Sequence, residues 1–225
     1  MNPESFKQES EQKLYIIRDI EGQPNREELE IVREIEKKLS KHPSFIGLAL
    51  FGSVISGVST ESSDIDLYVL CDESKFKDEK DYLDFTKTLK NTSIEQSERS
   101  NKKIQAILEI VTIEGIIAEI KRYFEGYINY FPETILADMS RLTTGKKIGK
   151  YRKAISEELH KLPVKNQREA GEKITESIVR RDILSLGKRM ERIPELSKQE
   201  HREVLEKRKE MWQKRVKKVW GLEYQ

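Results

Sequence analysis

The stretch 45–70, FIGLALFGSVISGVSTESSDIDLYVL, constrains this chain more than any other. An apolar run of Phe45, Ile46, Leu48, Ala49, Leu50 and Phe51 reads as a buried strand that stops at the Gly52-Ser53 pair, where a short polar turn begins. A second strand opens with Asp64-Ile65-Asp66 and continues through Leu67, Tyr68, Val69 and Leu70. Side chains alternate across a strand, so Asp64 and Asp66 share one face while Ile65, Leu67 and Val69 line the other. Two carboxylates held side by side repel unless a cation stands between them, and a hard divalent ion such as Mg²⁺ takes such oxygens together with substrate phosphates. Upstream, Gly52 lets backbone approach a ligand closely, and the Ser53 hydroxyl with neighbouring amides suits a phosphate.

Helical periodicity frames this stretch. Asn25 followed by Glu28 has the form of a helix-starting cap, and Leu29, Val32, Ile35 and Leu39 recur on one face until Lys41-His42-Pro43 closes the helix. Residues 4–20 read equally as a short helix or a strand-like arm around Leu14, Tyr15, Ile16 and Ile17. After Leu70, residues 72–80 read as a charged loop, 81–90 as a helix with Tyr82, Phe85 and Leu89 inward, and 91–101 as a polar turn. Lys103 to Thr112 is the third strand, and Glu109 is the acid inside its apolar triplet Leu108-Glu109-Ile110. An unpaired buried carboxylate is costly, so Glu109 wants a cation.

From Ile113 onward the pattern is helical: 113–127, 133–142, 150–162, 167–192, and a last helix capped by Ser197 with Glu200. Gly126 and Pro132 interrupt it, which divides the chain into 1–128 and 129–225. The expected fold is α+β, a small mixed β-sheet with helices on one side, followed by a C-terminal helical region.

Charge and composition narrow the partners. With 42 basic against 40 acidic groups the mean field is nearly neutral, so global charge does not argue for nucleic acid. Locally, His201 to Lys218 carries eight basic and three acidic residues, with Trp212 inside the run and Trp220 just after it. That helix either grips tRNA or another polyanion, or it is a solvated face with packed tryptophans, and the second is the simpler reading. Tyr123, Tyr127, Tyr130 and Phe131 gather at the boundary, as an acceptor pocket or as ordinary packing. Lys146 and Lys147 read as solvent-facing, because Ser140 stands where a P-loop needs glycine. His42, His160 and His201 lack metal-ligand spacing, so no zinc site is expected. The single Cys71 excludes an intrachain disulfide and fits a reducing cytosol. No long apolar run occurs and the first residues are polar, so a soluble cytoplasmic protein without membrane association is expected.

The pattern Gly52-Ser53, ten residues, then Asp64-x-Asp66, with Gly57 and the Ser63-Asp64 step, resembles the signature of the DNA polymerase beta-like nucleotidyltransferase superfamily and its small bacterial members. The resemblance implies transfer of a nucleoside monophosphate from an NTP, ATP first among donors, to a hydroxyl, with Asp64 and Asp66 holding Mg²⁺ and Gly52 and Ser53 fixing the phosphates. It also implies a third carboxylate from a later strand, as metal ligand or as base. Glu109 is the candidate, ahead of Glu114, which reads as a first-turn acid favoured by the helix dipole. One departure stands out: Val54, Ile55 and Ser56 occupy positions where small members often carry arginines, so phosphate charge must be met by metal, backbone or a lysine from elsewhere.

Length and the helical half look similar to antibiotic nucleotidyltransferases acting on aminoglycosides or lincosamides, which makes a small-molecule acceptor the first expectation. Transfer to tRNA or a partner protein, as in toxin-antitoxin nucleotidyltransferases, is the alternative, and a catalytically silent binding module is a third. A homodimer is also possible, since pockets in this superfamily are often completed across one.

Overall fold

The computed structural model describes residues 26–52, 63–141, 143–144, 147–190 and 198–222. The first helix, α1 (Arg26–Leu39), buries Ile31, Val32, Ile35 and Leu39 along one stripe. Glu27 and Glu28 lie in its first turn and Lys37 and Lys38 in its last, the arrangement that complements the helix dipole. Glu28 is sealed inside and paired at 3.3 Å with Lys102, which ties the start of α1 to the entry of the third strand. The turn after α1 is locked by His42, whose Nδ1 lies 2.6 Å from Ser44 Oγ and Nε2 3.2 Å from Asp81, and whose ring packs on Phe76 and Phe85.

The sheet has the order β3-β2-β1-β4. Strand β1 (Phe45–Phe51) is antiparallel to β2 (Ile65–Asp72), β2 is parallel to β3 (Ile104–Val111), and the two-residue β4 (Thr143–Thr144) pairs with the far edge of β1. The parallel β2 and β3 are bridged by α2 (Glu79–Ser100), which packs on α1 and β3. The architecture is the expected α+β, a small mixed sheet followed by helices.

One segment departs from the sequence reading. The polar stretch 91–101 is not a turn: α2 runs unbroken from Glu79 to Ser100, with Thr92, Ser93 and Gln96 buried beside Phe85 and Leu89. Nothing from 79 to 100 is glycine or proline, so the helix has no reason to stop until Asn101 takes the left-handed conformation at φ 54°. Asp78 caps its start by accepting from Asp81 N at 2.8 Å. Similarly, β2 runs on through Asp72, and Glu73–Lys75 forms a single 3-10 turn where a loop was expected.

The remaining helices are α3 (Ile113–Phe124), α4 (Glu133–Ser140), α5 (Ile148–His160), α6 (Val164–Met190) and α7 (Lys198–Trp220). Thr112 caps α3, its hydroxyl accepting from Gly115 N, and Glu114 sits in the first turn as expected. The end of α4 is buried, so its carbonyls need donors. Arg152 Nε supplies Met139 O at 2.8 Å, Arg215 Nε supplies Ser140 O at 3.1 Å, and Trp220 Nε1 donates to Ser140 Oγ at 2.6 Å. Trp212 and Trp220 are thus core side chains. The buried residues of both halves form one continuous core, and β4, downstream of the 128/129 division, completes the sheet edge. Among the described residues no helix is long and apolar enough to cross a membrane.

Candidate active site

Strand β2 puts Ile65, Leu67 and Val69 fully out of solvent and leaves Asp66 and Tyr68 half-buried on the other face. Each buried aliphatic side chain contributes about 1.5–3 kcal/mol, and a one-residue slip would exchange them for the carboxylate, so the core itself fixes which way Asp66 points. Asp64 precedes the strand and is also half-buried. Gly52 closes the neighbouring strand with φ 69°, and a Cβ there would fall 2.1 Å from Asp66 Oδ2. Glycine is therefore required twice over, for the backbone conformation and for the approach of bare main chain to this carboxylate. Ser53, the other phosphate-binding candidate, lies outside the described residues, as do Gly57 and the Val54-Ile55-Ser56 departure.

The third strand supplies an amide at the position facing the pair. Gln105 lies opposite Asp66, and its Nε2 donates to Asp64 Oδ2 at 2.6 Å, while Lys103 Nζ stands 3.8 Å from the same oxygen. Burial, then the negative charge of Asp64, holds the Asp66 carboxyl above its usual range, with Lys103 opposing. Two carboxylates side by side, with Asp66 raised by its own desolvation and by the charge of its neighbour, fit a divalent cation that also takes ligands from substrate phosphates.

Glu109 shares this face but not this place. It pairs with Leu70, four residues beyond Gln105, which at about 3.3 Å per residue sets it roughly 13 Å along the strand from the level of Asp66. The trio expected from the sequence is therefore not brought together, and among the described residues no group of three or more His, Cys, Asp or Glu side chains is arranged to hold a metal. Spacing within β3 does not decide which way Glu109 points; pairing with β2 puts it on this face and reveals the offset.

Glu109 instead belongs to a buried charge cluster. Its Oε2 has no hydrogen-bond partner, and its carboxyl is pushed up to about 7 by burial and then by the charge of Asp138, against Arg181 and Arg141. Asp138, fully buried on α4, receives Arg181 Nη1 at 2.5 Å and Arg141 Nη1 at 3.2 Å on one oxygen, yet burial still raises it to about 6. Arg181 reaches from α6 over the ring of Tyr68 at 5.4 Å, and Tyr68 stacks on Phe51 at 4.2 Å. None of Asp138, Arg141 or Arg181 was readable as site-related, because they lie far along the chain, on helices or just past the end of one, and resemble surface charges. Of the boundary aromatics, Tyr123 and Phe131 pack together, while Tyr127 and Tyr130 are exposed.

The raised Glu109 has a stability consequence. An unfolded glutamate titrates near 4.5, so as pH climbs from there through about 7 the unfolded chain sheds this proton first and the folded state loses stability. Glu109→Gln is therefore expected to raise the melting temperature at pH 8 on the order of 5 °C, after allowance for solvent screening. At pH 5 the gain should shrink by more than half in the same thermal melts, and an equal gain at both pH values contradicts the charge account.

Residues 33–121 match the family model described as polymerase beta, nucleotidyltransferase. That span begins inside α1, encloses β1, β2 and β3 with both aspartates, and ends inside α3. That match covers less than half of the chain, and over it the chain is similar to the nucleotidyltransferase domains of the DNA polymerase beta-like superfamily, a class that generally uses an NTP and a divalent metal. No curated protein matches the chain.

Proposed function

We propose that this protein moves a nucleoside monophosphate from an NTP, ATP first among donors, to a hydroxyl of a small-molecule acceptor. A new bond forms between the acceptor oxygen and the α-phosphorus, the bond to the β-phosphate oxygen breaks, and pyrophosphate leaves with its electrons while the hydroxyl proton passes to solvent. The observation that carries this reading is the Asp64–Asp66 pair at the start of β2, with the bare backbone of Gly52 against Asp66. Mg²⁺ held by those carboxylates would supply charge neutralisation for in-line displacement. Gly52 and Ser53 fix the donor phosphates, and Gln105 and Lys103 orient Asp64.

An aminoglycoside or lincosamide is the first acceptor to try. Burial of Trp212 and Trp220 favours a small molecule over tRNA, since it removes the aromatic platforms that base stacking on the basic helix would use. Incubation with each α-labelled NTP, Mg²⁺ and a panel of aminoglycosides, lincosamides, tRNA and cell protein tests the proposal. Label on a small molecule with stoichiometric pyrophosphate supports it. Label on tRNA or protein overturns the acceptor class, and no transfer combined with no Mg²⁺-dependent thermal shift by any NTP overturns the activity.

A further inference from the structure

We infer that this domain holds one divalent ion through its own carboxylates, and that Gln105 is the positioning residue that keeps it so. The inference rests on the assignment of Asp64 and Asp66 as the cation ligands. Parallel pairing puts Gln105 opposite Asp66, and its amide nitrogen donates to Asp64 Oδ2. The strand position that looks at both carboxylates is therefore a neutral amide, already spent on one of them.

Three consequences follow from this placement. The protein contributes a charge of −2 at the pair, which a single divalent cation cancels. The amide bond and Lys103 at 3.8 Å both engage the same Asp64 oxygen, so its other oxygen is the one presented to an ion with fixed aim. The next acid on this face, Glu109, is four strand positions away and turned into the Asp138–Arg181 cluster, so it completes no second set of oxygens around the pair. A second ion at this site must then bring its anionic ligands with it, as the phosphates of an NTP do, rather than find them among the described residues.

Titration of the full chain with Mn²⁺, reading free ion by electron paramagnetic resonance without nucleotide, tests this directly. One ion per wild-type chain is expected, lost in Asp64→Asn. Gln105→Ala should keep that stoichiometry with affinity weakened about tenfold, because Asp64 loses its orienting bond. Gln105→Glu, nearly identical in size, should bind two ions per chain, and thermal melts confirm that each variant is folded. Two ions on the wild type, both lost in Asp64→Asn, leave the aspartate assignment standing and overturn the single-ion inference. A single site indifferent to both Gln105 substitutions overturns the positioning role. Wild-type binding that survives loss of both aspartates overturns the ligand assignment and this inference with it.

Discussion

Asp66→Asn is expected to abolish nucleotidyl transfer, lowering kcat/KM by at least about a thousandfold, while the protein without metal becomes no less stable. The activity loss follows from removing an anionic ligand where phosphoryl chemistry depends on positioning and charge neutralisation. The stability result follows from the environment of Asp66, whose carboxyl is held up by burial and by Asp64 before any cation arrives. The amide relieves that repulsion, so the melting temperature without metal should hold or rise, whereas stabilisation by Mg²⁺ and NTP should vanish. Steady-state kinetics with parallel melts read both halves. A variant that loses activity by unfolding would make the residue structural.

The largest effect on stability is expected at Asp138. Its carboxylate is fully buried and receives both Arg141 and Arg181, so Asp138→Ala leaves two cations without that counter-charge. Removing one member of a buried ion network typically costs about 3–5 kcal/mol. For a chain of this size that is a fall in melting temperature on the order of 10 °C. Asp138→Asn keeps an acceptor for the guanidinium groups and should recover part of the loss. Chemical denaturation of the two variants checks the ordering, and equal stabilities would mean the charge of Asp138 is not what holds the cluster.

The site was legible in part, and the reason differs from residue to residue. Asp64, Asp66 and Gly52 sit in a local β-turn-β pattern whose period-two alternation and apolar flanks can be read without knowing any distant contact. Glu109 shows the limit of that reasoning. Alternation tells which face of a strand a residue occupies, but the register between parallel strands is set by how α2 spans them, and α2 itself was read short because Thr92, Ser93 and Gln96 are polar residues used as core. With that register in hand, the facing residue is Gln105, which sequence reasoning does not single out. Asp138 and Arg181 are separated by 43 residues and carried no local signal at all. The tryptophans of the last helix went the other way: their spacing suited packing or stacking, and burial at 4% and 0% exposure makes them core.

The most direct measurement is a crystal structure with Mn²⁺ and a non-hydrolysable NTP analogue, with the metal located by anomalous scattering. A peak within about 2.0–2.3 Å of carboxylate oxygens from both Asp64 and Asp66, bridged to the analogue's phosphates, is the result expected. Manganese absent from that pair, or bound instead between Glu109 and Asp138, would contradict it.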